Sequence, residues 1–139
     1  MKYSKLGLVL VSVFLMMACA QKVAFPVSNV VPGAEVEAKI KTDNNDNYEI
    51  DLKVKNLTSP DRLEPPKEMY VVWVETERGT KNLGRLEISK GMFSGTRSGS
   101  LKTVSPYKPK RILITAENSS SNNEPGSQVI LSSEEISMK

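Results

Sequence analysis

The fold of this chain is decided by one stretch, Met69-Tyr70-Val71-Val72-Trp73-Val74-Glu75. It is the densest run of β-branched and aromatic residues after residue 18, and it holds the only Trp of the chain. Such side chains favour a pleated, packed surface, so the stretch predicts a central β-strand. Side chains alternate along a strand, so both faces of this one are largely apolar, which is unusual for an edge strand.

The two faces of this strand lead to different expectations. We expect Trp73 to point into the core, because one large ring can dominate a small core. The opposite face, formed by Tyr70, Val72 and Val74, then needs a cover, because large exposed apolar patches are uncommon. A loop or a neighbouring sheet is the ordinary cover, and a partner protein is the alternative. These three residues are therefore the candidate interaction face.

Composition excludes several classes of site. A chain of 139 residues forms at most one ordinary domain. It has no His, which excludes a Ser-His-Asp or Cys-His catalytic set and His-ligated zinc. It has one Cys, so no internal disulfide forms. Beyond residue 18 there are 17 basic and 16 acidic residues, a balance that gives no reason to expect nucleic-acid binding.

Residues 1–18 are typical of a secretory signal peptide. Lys2 and Lys5 precede a mainly apolar run over residues 6–17, and the small Ala18 ends it. The run is short for a transmembrane helix. We therefore expect cleavage and export.

The residues around the cleavage point resemble the bacterial lipobox. They are Met16-Met17-Ala18-Cys19, with Met16 where Leu is usual. The resemblance implies that Cys19 is diacylated, that the leader is cut before it, and that the new amino group is acylated. The alternative is an ordinary signal peptide with an idle thiol. Ala20 follows Cys19 instead of Asp, which resembles the enteric sorting pattern for the outer membrane. The predicted location is the cell envelope, anchored by lipid and facing the periplasm.

Seven short strands are predicted after the leader. They cover residues 35–41, 48–54, 69–75, 81–88, 100–104, 111–116 and 128–131. The fourth needs a bulge near Gly84 to bring its apolar residues into phase. Residues 43–47 predict a hairpin loop, and the proline-rich residues 56–67 predict a crossing between sheets. The expected fold is an all-β, antiparallel, Ig-like sandwich. It occupies residues 33–133, with a tether over 19–32 and a flexible tail over 134–139.

Several short motifs resemble the periplasmic C-terminal domain of anti-sigma-K factors. They are Tyr70-Val71-Val72-Trp73, Leu83-Gly84, Thr115-Ala116-Glu117 and Gly126-Ser127-Gln128-Val129. The chain also resembles small bacterial lipoproteins with a Tyr-Val-Val-Trp strand. The family's sigma-binding region and spanning helix have no counterpart in these residues. The resemblance therefore implies a sensor-like or scaffold-like β-domain and not control of a sigma factor.

Two groups of acidic residues are weighed as sites. Asp43, Asn45 and Asp46 are oxygen ligands at close spacing, as calcium prefers, but a plain turn is the expected interpretation. Glu75, Glu77 and Glu117 lie near strand ends, where a carboxylate pair would have to be built. We expect them to be solvated. We therefore predict no metal, no cofactor and no catalytic residue.

One basic cluster remains as a candidate. It comprises Tyr107 with Lys102, Lys108, Lys110 and Arg111, and it suits anionic lipid or glycan phosphate; a scattered soluble surface is the alternative. The predicted function is a non-enzymatic, lipid-anchored interaction or structural module of the envelope, with an unidentified protein partner. The alternative function is binding of a small ligand or glycan by Tyr107, Lys108 and Lys110.

Overall fold

The structure is a computed structural model that describes residues 19–90 and 96–138; the predicted leader lies outside these residues. The described part contains nine β-strands and one short 3-10 helix at Pro60–Arg62. The strands are β1 (Gln21–Val23), β2 (Glu35–Thr42), β3 (Tyr48–Leu57), β4 (Met69–Thr76), β5 (Gly79–Arg85), β6 (Glu87–Lys90), β7 (Arg97–Ser105), β8 (Arg111–Glu117) and β9 (Val129–Ser132). No helix in this part of the chain is long and apolar enough to cross a membrane.

The strands form two antiparallel sheets that pack as a sandwich. The first sheet has the order β1-β2-β3-β7-β6, and the second has the order β5-β4-β8-β9. The predicted all-β sandwich is therefore confirmed. The hairpin from β2 to β3 has the predicted phase, with Ile40 opposite Ile50 and both fully buried. The crossing from β3 to β4 passes through the 3-10 helix, after which Leu63 is 7% exposed.

The chain forms two strands where the sequence predicts one over residues 81–88. The expected bulge exists: the β4–β5 register shifts between Val72 and Trp73, and Gly84 has a φ of +112°. Beyond it, the chain leaves the second sheet and enters the first as β6. Leu86 lies at the crossing, fully buried, with its N–H donating to the carbonyl of Tyr70 at 2.9 Å. The switch of sheets closes one side of the sandwich.

The central strand β4 is turned the opposite way from the prediction. Tyr70 and Val72 belong to the core between the sheets, whereas Trp73 lies on the outer face of its sheet. Both faces of β4 are apolar, so hydrophobic pattern alone does not distinguish them. Hydrogen bonding does: the indole N–H of Trp73 donates to Thr115 Oγ1 at 2.8 Å, and a buried indole needs such an acceptor.

The predicted tether and flexible tail are both part of the sandwich. Residues Gln21–Val23 pair with β2, and Val31 is 4% exposed. At the other terminus the N–H of Ile136 donates to the carbonyl of Lys110 at 2.7 Å, and Ile136 is 8% exposed. The two segments cover the β1 and β9 side of the sandwich, where unpaired backbone groups would otherwise be left.

Candidate functional site

The predicted interaction face is not on the surface. Tyr70, Val72 and Val74 are each 0% exposed. They point toward the other sheet, and the Tyr70 hydroxyl donates to the carbonyl of Thr58 at 2.6 Å. Burial raises the pKa of Tyr70 to about 12. The first sheet of the sandwich is thus the cover for this face, and these residues are not an interaction surface.

The outer face of β4 is covered by the loop over residues 118–128. Trp73 is opposite Asn82 in β5 and is 0% exposed. The Asn82 side-chain amide donates to the carbonyls of Ser120 and Asn122, each at 2.9 Å. The loop begins at the end of β8 and contacts β5. Because β4 lies between these two strands, the loop crosses above Trp73. A loop accordingly covers the second apolar face of the central strand.

Glu117 fixes the other end of this loop. One of its carboxylate oxygens accepts a hydrogen bond from the Thr115 hydroxyl at 2.7 Å and another from the Gly126 N–H at 2.7 Å. The second oxygen accepts a bond from the Asn122 amide at 3.3 Å. Glu117 is 6% exposed, so the expectation that it is solvated is wrong. Its oxygens are occupied by structural donors, which is the arrangement of a loop clamp.

The three candidate carboxylates do not form a pair. Glu75 lies opposite Arg111, while Glu117 lies opposite Met69 at the far end of the same two strands. Six residues of strand separate these positions, or about 20 Å. Glu75 accepts from Arg111 at 3.4 Å, and Glu77 is exposed. Two carboxylates that share a proton must lie side by side, which excludes Glu75 with Glu117, and Glu75 is already engaged by Arg111.

The acidic hairpin loop is a plain turn. Asp43 Oδ1 accepts the N–H groups of Asn45 at 2.8 Å and Asn47 at 2.9 Å. The bond from the Asn47 backbone is the main reason that the pKa of Asp43 is lowered. Asp46 has a φ of +60°, which Asp tolerates in turns. Among the described residues no cluster of three or more His, Cys, Asp or Glu is placed to hold a metal.

Cys19 is an exposed free cysteine two residues before β1. Strand pairing shows which parts of the chain share its end of the sandwich. Gln21 pairs with Ile40 near the end of β2, and the Gln21 amide donates to the carbonyl of Ser137 at 2.8 Å. We call this the Cys19 end. It comprises the hairpin loop 43–47, the turn 77–78, the loop 106–110 and the tail 134–138.

The structure changes the membership of the predicted basic cluster. Arg111 is paired with Glu75, and Lys102 lies opposite Asp51 in the middle of the first sheet. Two other cations lie beside Tyr107 instead. The guanidinium carbon of Arg78 lies 5.9 Å from the centroid of the Tyr107 ring, and Lys81 Nζ lies 5.3 Å from it.

The resulting group is called the basic cluster below; its members are Arg78, Lys81, Tyr107, Lys108 and Lys110. The last three could be grouped from the sequence because they lie within four residues of one another in the loop 106–110. Sequence reasoning missed the first two, which lie more than twenty residues earlier in the chain. Nothing in the local sequence links the two segments. The link is the packing of the turn 77–78 and the start of β5 beside the loop.

A shallow cavity of about 180 Å³ lies beside this cluster. It is lined by Glu77, Lys108, Pro109, Lys110 and residues 135–138. A second cavity of about 220 Å³ lies between the segment 26–30 and β9. Its rim carries the exposed apolar side chains Val27, Val30 and Val129.

Comparison with protein-family models, with curated proteins and with solved structures gives no significant match. The resemblances to the lipobox and to the anti-sigma-K domain therefore stay predictions from sequence.

Proposed function

We propose that this chain is a lipid-anchored protein of the bacterial cell envelope whose β-sandwich is a non-enzymatic interaction or structural module. The observation that carries the proposal is the place of Cys19. The only cysteine of the chain follows a signal-like leader and is exposed, and β1 begins two residues later. Acyl chains on that thiol project freely, and each buried methylene adds about 0.8 kcal/mol to membrane attachment.

The chemistry of the described residues supports a binding or structural role over catalysis. The candidate carboxylates are separated, ion-paired or used as a loop clamp. The chain has no His to act as a general base near neutral pH. The partner surface in this proposal is the surface of the sandwich away from β4, since both faces of that strand are covered.

The test is to compare the wild-type protein with Cys19→Ser in cells. We expect the wild type to fractionate with membranes and to carry acyl chains by intact mass. Cys19→Ser should lose both properties. Crosslinking should capture a discrete envelope protein only with the anchored form. A variant that fractionates like the wild type would show that the anchor assignment is wrong.

A second candidate function is binding of a small anionic ligand or glycan at the cavity beside the basic cluster. Lys108 and Lys110 line it, and Tyr107 lies nearby in the same loop. A volume of about 180 Å³ is below the roughly 300 Å³ of ordinary small-molecule pockets, so a group of monosaccharide or phosphate size fits best. Binding in calorimetry that is lost in Tyr107→Ala would favour this function over the first.

A further inference from the structure

The basic cluster lies close to the predicted anchor, and a chain of contacts connects them. Cys19 is two residues from Gln21, or at most about 7 Å of extended backbone. The Gln21 amide binds the carbonyl of Ser137, and the neighbouring Ile136 binds the carbonyl of Lys110. Lys110 is thus held at the end of the sandwich from which Cys19 leaves.

The four cations of the cluster are available for an external anion. Among residues 19–90 and 96–138, none of Arg78, Lys81, Lys108 and Lys110 lies within salt-bridge distance of a carboxylate. Arg78, Lys108 and Lys110 are exposed, and Lys81 and Tyr107 are partly buried. Tyrosine suits a boundary between water and lipid, because its ring is apolar and its hydroxyl is polar. Lysine and arginine side chains are long and flexible, so their charged groups extend beyond such a ring toward solvent.

The nearby carboxylates leave an excess of positive charge. Glu77 and Glu135 line the adjoining cavity with Lys108 and Lys110, and Glu134 is exposed in the same tail, so the four cations of the cluster are set against three anions. Asp43 and Asp46 lie at the same end, but in the hairpin between β2 and β3 of the first sheet. Lys81 lies in β5 of the second sheet, and packed sheets are about 10 Å apart. For Lys81, that distance exceeds the screening length of about 8 Å at physiological ionic strength.

We propose that the basic cluster holds the Cys19 end of the sandwich against anionic phospholipid headgroups of the membrane to which Cys19 is attached. The inference rests on the proposed lipid anchor and goes further, because it assigns an orientation and a contact surface. Each Lys or Arg near an anionic surface strengthens attraction by about fivefold. The segment 58–68, which joins the far ends of β3 and β4, then faces away from the membrane.

The test uses the full-length acylated protein in lipid vesicles. Acylation consumes the only native thiol, so an introduced cysteine is labelled selectively. One variant carries a fluorophore at Pro106→Cys in the Cys19 end, and a matched variant carries it at Pro66→Cys in the segment 58–68; both positions are exposed. Quenching by a headgroup-labelled nitroxide lipid is measured in phosphatidylcholine vesicles with and without about 30% phosphatidylglycerol.

We expect quenching at position 106 to rise about twofold with the anionic lipid, and quenching at position 66 not to change. Lys108→Glu with Lys110→Glu should return position 106 to its value in neutral vesicles. Lys53→Glu with Lys55→Glu makes the same change of charge on an exposed strand surface and should have no effect.

Three results would overturn the inference, and they separate it from the anchor. Acylated protein that floats with vesicles but shows equal quenching in both lipids would refute the orientation and leave the anchor intact. Equal effects of the two double charge reversals would show that only overall charge matters. An intact mass without acyl chains would refute the proposed function, and the orientation would fall with it.

Discussion

Gly99 packs closely against the crossing between the two sheets. It lies in β7, opposite Ile88 and Val54. A Cβ atom placed on Gly99 would lie 2.5 Å from Leu86 Cδ2 and 2.8 Å from Leu86 Cγ, with Leu57 Cδ1 at 3.2 Å. Carbon atoms in contact are ordinarily about 3.5–4.0 Å apart. Leu86 would therefore have to move by about 1 Å within a close-packed core.

We expect Gly99→Ala to lower the free energy of unfolding by about 1–3 kcal/mol, the usual cost of overpacking. Leu86→Ala should lower it by about 2–5 kcal/mol, because a fully buried leucine leaves a cavity. Leu86→Ala also removes both of the atoms that the new Cβ approaches most closely. The double variant should therefore be more stable than the sum of the single changes predicts, by about 1–3 kcal/mol.

Urea unfolding of the protein starting at residue 20 measures these free energies, with fluorescence of the only Trp as the signal. Gly33→Ala is the matched control, because nothing lies within 4 Å of a Cβ placed there; its effect should stay within about 0.5 kcal/mol. Single changes that add to within about 0.5 kcal/mol would refute the packing argument. A Gly99→Ala variant as stable as the wild type would refute it as well.

Three further predictions concern the loop clamp, the buried phenol and the tail. Glu117→Ala should lower the free energy of unfolding by about 1–3 kcal/mol, because it leaves buried donors without an acceptor, and it should red-shift the Trp73 emission as the loop loosens; an unchanged spectrum would contradict the clamp. Burial raises the pKa of Tyr70 to about 12, above the ordinary value of about 10, so its contribution is complete below pH 10 and is lost as the pH rises through about 12. Tyr70→Phe should remove that part of the alkaline loss of stability in urea titrations, and an identical pH profile in the variant would count against it. Deleting residues 134–139 should lower the midpoint of urea unfolding because Ile136 is buried. An unchanged midpoint would instead support the flexible tail predicted from the sequence.

The elements with a clear period of two were predictable. Residues 35–41 and 48–54 alternate apolar with polar side chains, and the structure pairs them as a hairpin in that phase. The bulge near Gly84 was also predictable, because Leu83 and Leu86 fall on opposite faces without one. In both cases the information is local. Burial of one face, together with the alternation of side chains along the strand, determines which residues point inward and how the strands pair.

The facing of β4 and the roles of the termini were not predictable in this way. A strand with two apolar faces has no polar side to mark the outside. Its facing depends on Thr115, which supplies the acceptor for the Trp73 indole from a position 42 residues later in the chain. The segments 19–32 and 134–138 carry little periodicity, and each is held by backbone bonds to the other or to a distant loop. The basic cluster likewise depends on two segments that only the fold brings together.

The bond between Gln21 and Ser137 brings the two ends of the described chain together. Chains with adjacent termini tolerate circular permutation, so a short linker here would join them without disturbing either sheet. New ends opened in the segment 58–68, between β3 and β4, with the anchoring cysteine moved to the new N-terminus, would attach the lipid at the opposite end of the sandwich. Such a permutant would keep the same strands, but the end of the sandwich that now faces away from the membrane would face toward it.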